Sequence, residues 1–361
     1  MIFDSPQILV LRKKYKKQPD FLVPHIILLD KLEKLSGERA YLEDIISSVS
    51  EKKQKDWLGR LLSEYHEQYM GAWFEMMLVG WCRDIGQVDI EPNLVGNFPD
   101  LSIMVGKKKI VIEARALLKT AEERNEEILS SGLIWALSQI KKSYVVEILE
   151  VSSSQFPDWS DFKDRAEKWL NTNPEEKFTY EDGSITVILQ TLKITDADFK
   201  TVQVIESAGD PRWIDSDPVK QPLRKKAGQH KAIRQASYPY VIALYLESIF
   251  LSSKEVVKAW FGNETYVIDI DKHQVVNSYI DKSGIHFLGS RVLHTTVSGT
   301  LVFKYEWDKK EKRRCLIASY IQNPFAKVYI NPKIFPVGAR YVVKERGLKG
   351  FRMGWERWEE N

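Results

Sequence analysis

The sequence predicts a mixed α/β fold whose N-terminal part is helical and whose C-terminal part is rich in strands. Residues 63–115 follow the order helix, strand, strand, strand. The apolar run PYVIALYLES, at 239–248, is typical of a strand buried on both faces. Between 264 and 336, short runs of β-branched and aromatic residues predict several further strands.

Length and patterning divide the chain into three expected parts. Its 361 residues suffice for one large or two modest domains. We expect an N-terminal helical segment at 1–62, a core at 63–262 that carries an insertion at 119–217, and a C-terminal β-rich domain at 263–361. The formal net charge of +3 is too small to attract polyanions by a global field, so any nucleic-acid surface must come from local clustering.

Composition excludes several classes of protein. Two cysteines, Cys82 and Cys315, cannot form a disulfide framework or a cysteine-rich zinc site. No apolar run approaches the length of a membrane span, and the start MIFDSPQILV lacks the basic region of a secretory leader. We therefore expect a cytoplasmic protein without membrane contact. No GxSxG, Walker or GxGxxG pattern is present, and the six histidines lack zinc-site spacing.

The N-terminal segment has helical periodicity. Apolar spacing predicts helices over 26–35 and 41–49, with Ser36-Gly37 as a break between them. A longer helix is predicted over 63–85, ended by Gly86. The first strand is predicted over 87–94, and Val95-Gly96-Asn97 is expected to turn the chain into the next strand.

The segment PDLSIMVGKKKIVIEAR, from Pro99 to Arg115, predicts a β-hairpin. A two-residue loop that begins with glycine, Gly106-Lys107, suits a type II′ turn. Positions whose numbers sum to 213 then face each other, which sets Asp100 opposite Glu113. Alternation predicts a core face, formed by Leu101, Ile103, Ile110, Ile112 and Ala114, and a second face that carries Asp100, Ser102, Lys109, Val111, Glu113 and Arg115.

Two opposed carboxylates repel each other unless a cation lies between them. Their hard oxygen ligands suit Mg²⁺ or Mn²⁺. The spacing Pro-Asp, twelve residues, Glu-x-basic resembles the signature of the PD-(D/E)xK, or restriction-endonuclease-like, nucleases. The resemblance implies that Asp100 and Glu113 hold the metal, joined by the carbonyl of Ala114. It further implies a third acid from the preceding helix, for which Glu75 is the first choice and Glu67 the second.

This sequence departs from that signature at one position. Arg115 occupies the place of the family's lysine, and an arginine stays protonated, so it can stabilise phosphate charge but cannot act as a base. In several branches of the superfamily a later helix supplies the lysine. The basic segment at 218–237 precedes the buried strand in the same way, and Lys226 and Gln229 lie one turn apart on it. Lys226 is the expected replacement, with Gln229 beside it; a solvated basic face is the alternative.

Cations cluster around Lys226. Arg224, Lys225, Lys231 and Arg234 are the residues we expect to bind nucleic-acid phosphates. The insertion is expected to be architectural, with helices at 121–142 and 158–170, a strand at 144–152 and a hairpin at Asp182-Gly183.

Later motifs extend the resemblance. The stretches PYVIA at 239–243, VSG at 297–299 and NPFA at 323–326 are similar to those of an uncharacterised bacterial family within the superfamily. Strands are predicted at TYVIDI, VSGTLVFKYEW, RCLIASYI and KVYI. The aromatic and basic tail, with Phe351, Trp355 and Trp358, either stacks on bases or packs on its own domain.

The predicted fold is therefore a restriction-endonuclease-like mixed sheet flanked by helices. The resemblance implies a Mg²⁺- or Mn²⁺-dependent nuclease that hydrolyses DNA, in restriction, defence or repair. Its alternative is a pseudo-nuclease, which keeps the fold as a nucleic-acid- or protein-binding module after loss of the third-strand lysine. RNA as substrate and a homodimer as assembly stay open.

Overall fold

The computed structural model describes residues 2–153, 157–183, 185–192, 199–206, 217–229, 238–248, 251–269, 274–346 and 351–357. Within these ranges the chain is a mixed α/β protein with nine α-helices and sixteen strands. The helices are α1 (Pro6–Lys14), α2 (His25–Lys31), α3 (Ser36–Ser47), α4 (Glu51–Leu61), α5 (His66–Arg83), α6 (Ala121–Ser138), α7 (Trp159–Thr172), α8 (Asp217–Gly228) and α9 (Ser253–Phe261).

The first seven strands are β1 (Gln87–Ile90), β2 (Leu101–Val105), β3 (Lys108–Leu117), β4 (Val145–Ser153), β5 (Phe178–Asp182), β6 (Ile185–Leu192) and β7 (Gln203–Glu206). Those that follow are β8 (Tyr240–Leu246), β9 (Glu264–Asp269), β10 (Gln274–Ile280), β11 (Phe287–Leu288), β12 (Arg291–Val292), β13 (Gly299–Asp308), β14 (Arg313–Gln322), β15 (Ala339–Arg346) and β16 (Phe351–Arg357).

The chain divides into two compact units. The first unit comprises Met1–Gln18, Val23–Leu118 and Ile214–Asn361, and the second comprises Pro19–Leu22 and Lys119–Trp213. The second unit holds a four-stranded sheet, β5-β6-β4-β7, whose buried cluster also includes residues of α6 and α7. Asp158, the first residue of the helix predicted at 158–170, caps α7 by accepting from the N–H groups of Ser160 and Asp161.

An eight-stranded mixed sheet organises the first unit, in the order β1-β2-β3-β8-β13-β14-β15-β16. β8 lies near the middle and runs parallel to both of its neighbours, β3 and β13. Every residue of β8 is buried, and alternate residues enter two different clusters. One cluster includes residues of α2–α5, and the other includes residues of α8 and α9, so the sheet lies between two helical layers. A strand buried on both faces explains the continuous apolar run.

A buried ion pair joins the N-terminal helices to this sheet. Glu38 of α3 accepts from Nε of Arg314 on β14 at 3.0 and 3.1 Å, and from Nε1 of Trp73 on α5 at 2.9 Å. The guanidinium also lies over the Trp73 ring, 4.2 Å from its centroid. Such a pair is costly to separate because either charge alone would remain buried.

The C-terminal third does not form the separate β-rich domain expected at 263–361. Its strands β13–β16 extend the sheet of the core, because β13 pairs with β8 and β14 pairs with β13. The KVYI segment at 327–330 is not a strand; β15 pairs with β14 in its place. The aromatic tail contributes β16, in which Trp355 pairs with Tyr341 of β15.

At two glycines where the sequence predicted the end of a helix, the structure shows close packing against a backbone carbonyl. Gly37 lies inside the first turn of α3, and a Cβ there would overlap the carbonyl oxygen of Glu311. The expected break at Ser36-Gly37 is therefore wrong. Gly86 follows the end of α5, and a Cβ there would overlap the carbonyl oxygen of Met104.

Candidate active site

The β2–β3 hairpin has the predicted register. Leu101 pairs with Ile112 and Val105 with Lys108, and Gly106 has a φ of 60°, as the first central residue of a type II′ turn requires. The predicted core face joins the cluster on the side of α5, whereas Val111 joins the cluster on the side of α8. Glu113 therefore projects towards the α8 side of the sheet.

Asp100 lies at the start of β2, beside Glu113. Its Oδ2 accepts from the N–H of Ala114 at 2.7 Å, which fixes the carboxylate against β3. The Asp100 side chain is 33% exposed and that of Glu113 is 2% exposed, so one carboxylate faces solvent and the other is buried. The contact made by Ala114 is through its N–H, a donor that cannot bind a metal ion; a role for its carbonyl stays a prediction.

Lys226 of α8 contacts both carboxylates. Its Nζ lies 2.6 Å from Oε2 of Glu113 and 3.4 Å from Oδ2 of Asp100. Three buried residues hold α8 in the cluster on that side of the sheet: Val219, Leu223 and Ala227. The hydroxyl of Tyr240 on β8 donates to the carbonyl of Lys226 at 3.1 Å, which ties the last turn of the helix to the central strand. Asp100, Glu113 and Lys226, three of the five residues expected to act in catalysis, thus come together.

The site has an excess of negative charge. Burial, followed by the charge of Asp100, raises the pKa of Glu113 to about 8 despite the nearby ammonium. For Lys226, burial lowers the pKa, but the charges of Asp100 and Glu113 together outweigh it, so its pKa is raised and it stays protonated. One ammonium against two carboxylates leaves a net deficit of positive charge, which a proton or a divalent cation can supply. The two carboxylates therefore fit a hard metal ion.

Arg115 and Gln229 flank this centre. Arg115 follows Glu113 by two residues on β3 and is exposed, and within the described ranges its side chain makes no ion pair or hydrogen bond. Gln229 follows the end of α8, where its N–H donates to the carbonyl of Lys226 at 3.1 Å. Arg224 and Lys225 are exposed on α8. Lys231 and Arg234, the other two residues expected to bind phosphate, lie outside the described residues.

The structure gives Glu75 a different environment from the one expected. Its carboxylate accepts from Arg60 at 2.7 and 2.8 Å and from Nε1 of Trp57 at 2.9 Å, and Nζ of Lys53 lies 3.3 Å away. Burial raises the pKa of Glu75, but Arg60 and Lys53 outweigh it and the pKa is lowered. Glu75 is thus held by cations of α4, and its role as a metal ligand stays a prediction.

Sequence reasoning missed these partners of Glu75. Lys53 bridges Glu75 to Glu91, whose Oε1 lies 2.6 Å from its Nζ, and the N–H of Glu91 donates to the carbonyl of Asp100 at 3.0 Å. The i, i+7 spacing of Lys53 and Arg60 on a polar helix is the signal that a basic stripe faces a neighbouring acid.

The VSG and NPFA stretches brace the start of β8. The Ser298 hydroxyl accepts from the N–H of Tyr240 at 3.1 Å and donates to the carbonyl of Val328 at 2.7 Å. The amide of buried Asn323 donates to the carbonyl of Val297 at 2.6 Å. These residues are structural, and they position β8 beneath α8.

Comparisons of this chain with protein-family models, with curated proteins and with solved structures find no match. Across the described ranges, no three His, Cys, Asp or Glu side chains form a group that could hold a metal ion. No helix in the same ranges combines the length and apolarity that crossing a membrane requires.

Proposed function

We propose that this chain is a metal-dependent nuclease that hydrolyses phosphodiester bonds in DNA. The observation that carries the proposal is the contact of Lys226 with both Asp100 and Glu113, which are 126 and 113 residues away in sequence. A structural salt bridge needs one carboxylate, whereas a second carboxylate beside it adds repulsion. An excess of buried acid is typical of a site that takes up another cation.

The residues have separable roles. Asp100 and Glu113 would hold Mg²⁺ or Mn²⁺, which when bound supplies Lewis-acid polarisation of the phosphate and a more acidic water. Lys226 stays protonated, so it orients the attacking water or the phosphate by donating hydrogen bonds and does not remove a proton. Arg115, exposed beside the acids, stabilises the charge that develops on the phosphate oxygens as the P–O bond breaks.

A cleavage assay tests this proposal. The wild type, Asp100→Ala and Lys226→Ala are incubated with plasmid, linear duplex, single-stranded DNA and RNA, each with Mg²⁺, Mn²⁺ or EDTA. We expect cleavage of DNA by the wild type with either metal, and none by the two variants or in EDTA. Arg115→Lys, which recreates the usual motif, should retain or increase the rate.

The second candidate function is a pseudo-nuclease, a binding module with this fold. Two observations favour it: the ammonium of Lys226 already lies between the acids, and Arg115 occupies the usual lysine position. The pseudo-nuclease is the correct function if the wild type binds nucleic acid but shows neither cleavage nor a metal-dependent rise in melting temperature.

A further inference from the structure

A turn that precedes Asp100 presents apolar side chains to solvent. Leu94 and Asn97 exchange backbone hydrogen bonds at 2.8 and 3.0 Å, which closes the turn around Val95-Gly96. The side chain of Asn93 accepts from the N–H of Gly96 at 3.2 Å, and that of Asn97 donates to the carbonyl of Val95 at 3.0 Å. This short segment is therefore ordered by its own hydrogen bonds.

The conformation of this turn is unusual for its sequence. Val95 has a φ of 52°, in the left-handed region that β-branched residues seldom adopt. Its side chain is nevertheless exposed, and Phe98 just after it is 60% exposed. Buried Leu94 belongs to the same cluster as α8, and buried Pro99 fixes the other end. The backbone of Val95 is strained, yet this turn leaves the side chains of Val95 and Phe98 exposed to water. This combination indicates that the exposed side chains have a function.

Phe98 lies close to the catalytic residues. Phe98 is two residues before Asp100, so the Cα atoms of the two residues are at most about 7 Å apart. Two cations lie beside the acids in the fold: Lys226, which contacts both carboxylates, and Arg115, two residues after Glu113 on β3. An exposed aromatic ring beside a centre that is proposed to hydrolyse phosphodiesters suits a nucleobase.

We propose that Phe98 stacks on an unpaired base next to the phosphate held at Asp100 and Glu113. The preferred substrate is then DNA with an unpaired nucleotide at the cleavage point, such as a single strand, because in a duplex both base faces are covered by neighbouring bases. This inference rests on the proposed nuclease function and adds its substrate class.

The test measures the binding of fluorescent DNA strands by anisotropy, in EDTA, where cleavage is absent. The strands are about 20 nucleotides long, which exceeds the site size of typical single-strand binders. The probes are a normal single strand, an all-abasic strand of the same length and a duplex. Phe98→Ala is expected to weaken binding of the normal strand about tenfold, in line with the loss of one stacked base. Phe98→Trp, which keeps a stacking face, should restore it. Tyr266→Ala is the matched control, since Tyr266 is 55% exposed but lies on β9, outside the large sheet.

The abasic strand separates stacking from a structural effect. If Phe98 stacks, the wild type and Phe98→Ala bind the abasic strand equally, and the duplex shows no effect of Phe98. An equal loss on normal and abasic strands, or no loss on the normal strand, overturns the inference. If the wild type cleaves DNA and Phe98→Ala binds every probe as tightly as the wild type, the stacking role of Phe98 is refuted and the proposed nuclease function is not. A wild type that binds no DNA overturns the proposed function and the inference together.

Discussion

Replacing Lys226 by methionine should tighten divalent-metal binding while abolishing cleavage. The ammonium lies 2.6 Å from Glu113 and 3.4 Å from Asp100, where a metal ion must compete with it. Even with the dielectric constant of water, these separations correspond to attractions of about 1.6 and 1.2 kcal/mol. Their sum of about 3 kcal/mol corresponds to roughly 100-fold in an equilibrium constant. In the wild type, the ammonium that a metal ion displaces regains hydration, and this offsets part of the difference. We therefore expect Lys226→Met to bind metal about tenfold more tightly than the wild type.

Isothermal titration calorimetry with Mg²⁺ and Mn²⁺, without DNA and at one fixed pH, measures this change. Lys226→Arg is the matched control, because it keeps a positive charge on the same helix. The apo form of Lys226→Met should be less stable than the wild type, since two carboxylates then face each other without a cation. Added metal should therefore raise its melting temperature more than that of the wild type.

One result would refute this reasoning. If Lys226→Met bound metal as weakly as the wild type, or more weakly, the ammonium and the metal ion would not compete for the same carboxylates. Loss of metal binding in Lys226→Met but not in Asp100→Ala would remove the acid pair as the metal site altogether.

Three other changes test the buried charges and the basic helix. Glu38→Gln leaves its arginine partner charged and buried, so the free energy of unfolding in urea should fall by about 3–5 kcal/mol, whereas Glu33→Gln, at a carboxylate that is 80% exposed, should change it little. Burial lowers the pKa of His286 to about 3 from its ordinary value of 6.5, so the stability that its neutral form provides is present above pH 6.5 and lost as pH falls towards 3; His286→Phe should flatten that pH dependence of the melting temperature. Alanine at both Arg224 and Lys225 should reduce the salt slope of DNA binding by about one for each phosphate that is no longer neutralised, and an unchanged slope would make both residues solvent-facing only.

The hairpin could be predicted from sequence because its determinants are local. A two-residue turn at Gly106 fixes the register, and alternation then sorts the two faces. The reach of Lys226 was predictable for a related reason. The helix that carries it is the last described element before the central buried strand, and elements consecutive in sequence are usually adjacent in space.

The remainder depended on partners distant in sequence. Glu75 has a sequence context compatible with a metal ligand, and the sequence did not reveal that Arg60 of another helix binds its carboxylate. The C-terminal strands have the alternation of an independent β domain, but alternation carries no information about which strand is the neighbour. β13 pairs with β8 because one more buried strand completes a sheet covered on both faces.

The order of synthesis places a constraint on how this chain can fold. Glu38 leaves the ribosome 276 residues before Arg314, and Glu113 leaves it 113 residues before Lys226. The second unit consists of Lys119–Trp213 and the short stretch Pro19–Leu22, so it can fold while the first unit still lacks five of the eight strands of its sheet. Until β13 is made, β8 has an unpaired apolar edge and the N-terminal helices have no complete sheet to cover. Chains shortened before residue 299 should consequently aggregate, and ribosome-bound intermediates of that length should need chaperones.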